Sequence, residues 1–196
     1  MIFIKNLIII FTLFSSFYCQ RPMKPGEDLS RYSVRFRGIE CLSMDNSTAY
    51  FTFCFVKSYS RTATTINFGI NTQKKMKSIF VQLVASFRYG NIYREIVDTK
   101  LINWCQVMAG ADYNLFMKLI LDMIRPSVPG LFHKCPYEGL MEFKNVTMDV
   151  EIAKKISIFP EGQYRVNTTI HNGPDKIILA LITYSEIKSP IKTSFG

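Results

Sequence analysis

Between Ile79 and Phe87 every second residue is apolar: Ile79, Val81, Leu83, Ala85 and Phe87. A period of two is the signature of a strand with one buried face, and no helix can satisfy it. The pattern recurs from Thr64 to Asn71, where Ile66, Phe68 and Ile70 share one face and Thr65, Asn67, Gly69 and Asn71 the other. Further strands are predicted near Val34–Leu42, Ala49–Lys57, Ile92–Leu101, Leu140–Val146, Ala153–Ile158, Gln163–His171 and Lys176–Ile187. Turn-formers separate them: Met44-Asp45-Asn46-Ser47, the cluster Lys74, Lys75 and Lys77, Gly90-Asn91, Pro160-Glu161-Gly162 and Asn172-Gly173-Pro174. In Gln163–His171 the apolar face holds Tyr164, Val166 and Ile170 and sends Asn167 to the polar side. Asn145 shares parity with Met141 and Phe143, so it faces solvent only if its strand ends just before it.

One stretch breaks the period. Leu115, Phe116, Leu119, Ile120, Met123 and Ile124 recur at helical spacing from Asp112 to Arg125, and Pro126 stops the run. The expected architecture is therefore all-β, with about eight short strands and one inserted helix near 112–125. There is no alternation of strand and helix that would build a parallel sheet. An antiparallel sandwich suits the pattern better than a closed barrel. The 16 Phe and 10 Tyr agree with this, since aromatic side chains fit a pleated, half-buried surface. With 48% hydrophobic and 20% charged residues in 196, the chain can build a packed core.

The N-terminus sets the compartment. Lys5 precedes an apolar run from Leu7 to Phe14, and Ser15-Ser16 lead to Cys19 and the polar Gln20-Arg21-Pro22. This is the layout of a secretory signal peptide over 1–19, a retained signal anchor being the alternative. The run is shorter than the ~20 residues needed to cross a bilayer. Residues 20–32 read as an extended lead-in and 33–196 as a single domain, secreted and extracellular. Net charge is +9, and loss of Lys5 alone takes it to +8, so the basic excess belongs to the mature chain.

Five cysteines become four once Cys19 is removed: Cys41, Cys54, Cys105 and Cys135. Four permit three pairings. Cys41–Cys54 and Cys105–Cys135 are favoured because each closes a modest loop, and a zinc site is disfavoured because no close Cys-x-x-Cys pair exists. Asn46-Ser47-Thr48, Asn145-Val146-Thr147 and Asn167-Thr168-Thr169 are acceptor sequons that gain meaning behind a signal peptide.

Cys41 and Cys54 in early strands, Cys105 before a helix, Cys135-Pro136-Tyr137-x-Gly139 after it, and Pro160-x-Gly162-x-Tyr164 together resemble a family of small secreted insect proteins. That family is catalogued as a domain of unknown function and grouped with the ML lipid-recognition superfamily. The resemblance spans roughly Cys41 to Ser185. It implies an immunoglobulin-like β-sandwich that opens between its sheets to hold a lipid or other apolar molecule, with some relatives linked to chemosensory or pheromone perception. One departure is visible: members often carry an Asp shortly before the cysteine that precedes the helix, where this chain has Asn103.

No assembled acid, base and nucleophile stands out, and no paired-histidine, phosphate-loop or nucleophile-elbow motif is present. His133 and His171 are isolated. The expectation is a non-enzyme without cofactor or metal. Its ligand would be a lipid-like or hydrophobic small molecule lying against Phe68, Leu83, Phe87 and Val166, with Phe116, Leu119 and Ile120 of the helix toward the sheets. The basic excess suits an anionic membrane surface or an acidic headgroup at a rim near Lys74, Lys75 and Lys77. Nucleic acid is disfavoured for an exported chain without a recognition motif. The rival reading is an extracellular interaction module with a filled core that binds a receptor protein.

Overall fold

The computed structural model describes residues 33–60, 63–111, 118, 121–122, 124–147 and 160–188. The signal segment 1–19, the lead-in 20–32 and the strand expected near 153–158 lie outside the described residues. So do Phe116, Leu119 and Ile120.

Two antiparallel sheets face each other. The larger runs β1 (Ser33–Ser43), β9 (Ile177–Lys188), β8 (Gly162–Asn172), β4 (Ile79–Tyr89) and β5 (Ile92–Asp98), with the short β6 (Ile102–Asn103) also pairing with β4. The smaller runs β2 (Ala49–Ser58), β3 (Thr64–Met76) and β7 (Tyr137–Val146). The chain switches sheets between β1 and β2, β3 and β4, β6 and β7, and again between β7 and β8. The fold is an immunoglobulin-like β-sandwich with a helical insert between β6 and β7.

Alternation decides which face is buried, as expected for sheets packed face to face. In the larger sheet Val34, Phe36, Leu83, Val166, Leu181 and Ile187 point inward, and Ile66, Phe68, Ile70 and Phe143 answer from the smaller sheet. Phe68 and Phe143 pack with ring centroids 4.8 Å apart. β3 is buried on its outer side as well. Asn67 is almost fully enclosed there, and the bulge at Thr52 lays both Thr52 and Phe53 over Gly69.

The structure departs from the sequence-based expectations at four places. First, Lys74 and Lys75 are not a turn: β3 continues to Met76, which pairs with Tyr137, and the two lysines stand exposed on the extended strand. The register with β7 shifts between Thr72 and Met76, and the Met76–Tyr137 pair beyond the shift carries the strand past the lysines. Second, β5 stops at Asp98 rather than near Leu101. Lys100 takes a left-handed φ of 58°, and its backbone N–H donates to Asp98 Oδ1 at 2.8 Å. Third, β7 does not end before Asn145. Ile66 pairs with Val146 but Phe68 with Phe143, so β7 carries one extra residue, and this bulge turns Asn145, at φ 56°, outward.

Fourth, a short helix α1 (Trp104–Met108) precedes the expected one. Asn103 caps it, its side-chain oxygen accepting from the Gln106 N–H at 3.2 Å. An uncharged amide performs at this N-terminus the capping that an Asp would also perform. Within the expected helix, Lys118, Leu121, Asp122 and Ile124 are helical.

The two disulfides are Cys41–Cys54 and Cys105–Cys135. The first joins β1 to β2 and so fastens one sheet to the other. The second ties α1 to the start of β7, next to a cis peptide bond at Cys135-Pro136.

Candidate functional site

A cavity of about 350 Å³ lies between the sheets. One wall is hydrocarbon: Ile66, Phe68 and Ile70 of β3 with Met141 and Val146 of β7. The opposite wall mixes aliphatic residues of β4, β8 and β9 (Leu83, Val166, Leu181) with the hydroxyls of Thr168, Thr183 and Ser185. Leu121, Ile124, Val128 and Leu131 of the insert close one side, and Trp104 and Tyr137 close an end. No charged side chain is among the described lining residues.

The end wall is braced by hydrogen bonds. Trp104 Nε1 donates to the Tyr137 hydroxyl at 2.9 Å, and that hydroxyl lies 2.6 Å from the Leu131 carbonyl and 2.8 Å from that of His133. The His133 ring stacks on Tyr137 at 4.1 Å. Burial keeps the Tyr137 phenol protonated, raising its pKa against the opposing pull of the Trp104 and His133 hydrogen bonds. Tyr164, at another part of the lining, donates to the Pro160 carbonyl at 2.6 Å. Burial first, and the neighbouring Tyr89 second, push its pKa up to about 12. Both phenols are neutral, so the described lining carries no charge of either sign.

Of the residues expected to contact a ligand, Phe68, Leu83 and Val166 line this cavity. Phe87 does not, although it keeps the parity of Leu83 and Ala85. Its ring sits beyond the cavity, edge-on to Tyr164 at 5.0 Å and to Tyr89 at 4.9 Å, and over Gly162, where an added Cβ would lie 2.8 Å from it. Phe87 is thus part of an aromatic plug at the sheet's end. Phe116, Leu119 and Ile120 cannot be placed against the cavity, being outside the described residues. Lys74, Lys75 and Lys77 are not among the lining; Lys75 lies 3.7 Å from Glu138 on the exterior.

Several lining residues escaped the sequence reading. Trp104 and Tyr137 come together across the insert, and no local spacing signals that meeting. Thr168, Thr183 and Ser185 do carry a signal, since they share parity with Val166 and Leu181.

The three sequon asparagines sit in different settings. Asn46 and Asn145 are exposed, and Asn145 Oδ1 accepts from the Tyr59 hydroxyl at 2.8 Å. Asn167 is half-buried on the outer face of the larger sheet, with an Oδ1 that is shielded and unpartnered. His133 and His171 each bond locally, to the Lys134 carbonyl and the Thr169 hydroxyl. Among the described residues no group of three or more His, Cys, Asp or Glu is arranged to hold a metal. None of their helices is long and apolar enough to cross a membrane.

A second concavity, about 520 Å³, opens on the exterior between α1 and the insert. Val107, Met108, Lys118, Arg125 and Phe132 border it, with the Arg125 guanidinium 4.9 Å from the centroid of the Phe132 ring.

Comparison with known proteins gives two kinds of likeness. The family described as "Protein of unknown function (DUF1091)" matches residues 79–166, from the start of β4 into the middle of β8, which is under half of the chain. No curated protein matches. Among solved structures, the chain is similar to a Niemann-Pick type C2 protein from Japanese carpenter ant, at 11% identity and a TM-score of 0.29. That likeness covers 80% of this chain and 93% of the other. It is similar also to chicken MD-1 complexed with lipid IVa, at 9% identity and a TM-score of 0.29, covering 81% and 96%. At that TM-score neither likeness bears on what this chain binds.

Proposed function

We propose that this protein is an exported, non-catalytic binder of a lipid-like or other hydrophobic small molecule, held between its two sheets. The observation that carries the reading is the cavity of about 350 Å³, with no charged side chain in its described lining. Its volume falls in the ~300–1,000 Å³ range of small-molecule sites, which are mainly apolar with few polar groups. Close-packed interiors leave few voids larger than a water molecule, so a space of this size is not ordinary core. Each Å² of apolar ligand surface buried there contributes about 25 cal/mol, enough for an acyl-chain-sized molecule to bind without an ionic anchor.

The rest of the reading extends from the sequence. A signal peptide over 1–19, removed on export, would leave 20–196 as the mature chain, with 33–196 as one domain. The two disulfides fit an oxidising compartment. Glycans on Asn46, Asn145 and Asn167 belong to the same proposal, and the exposure of the first two favours them. A carrier or chemosensory accessory role, resting on the insect-family resemblance, is its most specific form. The second reading, a receptor-binding interaction module, is favoured by the outer face of the smaller sheet, where Phe55 is 48% and Tyr59 56% exposed.

Native mass spectrometry of the protein from a secreting host tests the proposal, with uptake of N-phenyl-1-naphthylamine by delipidated protein as a second readout. A non-covalent adduct of lipid mass together with saturable uptake is expected. A folded protein that carries no adduct and takes up no dye would overturn it.

A further inference from the structure

Eight hydroxyl-bearing residues are in the described lining of the cavity, and they fall into three groups. Those of Thr99, Ser127, Tyr137 and Tyr164 are engaged by the protein itself: Thr99 with Leu83 N and the Lys100 carbonyl, Ser127 with the Thr147 carbonyl, the tyrosines as described above. Thr147 is exposed to solvent. The remaining three, Thr168, Thr183 and Ser185, find no hydrogen-bond partner among the described residues.

Their placement is ordered. Thr168 on β8 stands opposite Leu181, and Thr183 on β9 opposite Val166, so the two threonines are diagonal neighbours across the β8–β9 pair. Ser185 follows two residues along β9, opposite Tyr164 on one side and Phe36 on the other. Diagonal cross-strand neighbours lie roughly 7–8 Å apart and alternate residues of one strand roughly 7 Å. The three hydroxyls therefore mark an oblique line of about 14 Å across an otherwise hydrocarbon wall. A hydroxyl facing an apolar space without a partner is unfavourable, and an aliphatic residue of the same shape would avoid the cost.

We infer that Thr168, Thr183 and Ser185 form a hydrogen-bonding track for a neutral polar group within the apolar ligand, such as an alcohol, ester or amide. The inference rests on the proposed function above and specifies the ligand class. A plain hydrocarbon leaves the three hydroxyls unpaired. An ionised headgroup meets no opposite charge in the described lining. A molecule that is apolar along β3 and β7 and carries an uncharged donor or acceptor toward β8 and β9 satisfies both walls.

Displacement of N-phenyl-1-naphthylamine by decane, 1-decanol and decanoate at neutral pH, for wild type and a Thr168→Val/Thr183→Val variant, tests this. Comparing variant with wild type for one ligand at a time cancels differences in aqueous solubility. One or two lost hydrogen bonds weaken 1-decanol by about three- to tenfold, while decane is unchanged or tighter. Decanoate is expected to bind wild type more weakly than 1-decanol does. Equal loss of decane and 1-decanol, or no loss of either, overturns the inference and leaves the apolar site standing, as does decanoate binding tighter than the alcohol. Failure of wild type to take up any of the three overturns the proposed function itself. Thermal melting checks the fold, and Ser185→Ala supplies the same comparison if the double variant does not fold.

Discussion

Along one long side of the sandwich, β1 is held to β2 and to the start of β3 by covalent and polar links. The Cys41–Cys54 disulfide crosses from sheet to sheet, the Phe36 N–H donates to Thr64 Oγ1 at 2.7 Å, and the Phe51 N–H donates to Ser43 Oγ at 3.1 Å. Along the opposite side, β5 and β7 are edge strands that do not pair with one another. Four side chains of the insert, Leu121, Ile124, Val128 and Leu131, line the cavity between the sheets. On the first side the strands are linked to each other directly; on the second the links run through the insert, by the Cys105–Cys135 disulfide and the Ser127 hydroxyl on the Thr147 carbonyl, with apolar side chains between them. Apolar packing can be exchanged for contact with an apolar ligand, whereas a disulfide cannot, so under the proposed function the apolar side chains of the insert are where a molecule would pass with least disruption.

The largest expected effect comes from the directly linked side. Replacing both Cys41 and Cys54 by Ser should lower stability by about 3 kcal/mol in urea unfolding, since a loop of this size then regains its freedom in the unfolded chain. The release rate of bound N-phenyl-1-naphthylamine should change little. Leu121→Ala should cost slightly less stability but change the release rate. Leu121 is 1% exposed, and its truncation should cost about 2–3 kcal/mol, near the low end for buried leucines because the site borders existing space. Dye release should quicken several-fold in stopped flow. Equal acceleration in both variants would erase the distinction between the sides.

Leu83→Trp probes the space between them. Overpacking costs ~1–3 kcal/mol, and the lower figure is expected because the cavity has room for the larger ring. Dye uptake should fall by more than tenfold while the fold survives, and normal uptake would remove Leu83 from the site. The smallest effect concerns acid. Asp45, at the β1–β2 turn, is held well below the usual carboxylate range by hydrogen bonds from Lys176, Ser47 and Thr48. Asp98, at the end of β5, is lowered to about 2 by Lys100, Gln82 and the Lys100 backbone N–H. Both stabilise the fold fully above the unfolded carboxylate pKa of about 3.9, and the contribution fades as pH falls toward each folded value. Urea midpoints should therefore decline below about pH 4, and Asp45→Asn or Asp98→Asn should each flatten part of that decline.

Much of this frame was readable from spacing. The period-two runs that contain Ile66, Leu83 and Val166 became strands with those side chains inward, because one-sided burial leaves no other way to satisfy the pattern. Where reading stopped, a partner distant in sequence decided the outcome. Lys74 and Lys75 look like a turn, but β3 runs on through them to the distant Met76–Tyr137 pair. Phe87 has the parity of a cavity residue but lies one row too far along β4, against Tyr164. α1 is too short to show a helical period, and the contact it brings, Trp104 on Tyr137, spans the insert. Thr168, Thr183 and Ser185 share the parity of Val166 and Leu181, but parity alone does not tell a hydroxyl that faces a cavity from one in a filled core.

The close cover over Gly69 bears on how this sequence can change over time. A methyl group added there would fall 2.3 Å from Thr52 Oγ1 and 2.7 Å from Phe53 Cε1, so the site cannot accept even alanine while its neighbours stay as they are. Any viable route away from glycine must begin at Thr52 or Phe53. Because Phe53 also carries the Lys144 ammonium 5.8 Å from its ring centroid, that first step alters the surface charge arrangement as well. Substitutions at these positions on β2, β3 and β7 are thereby bound to an order, and Gly69 gains freedom only after both Thr52 and Phe53 have given way.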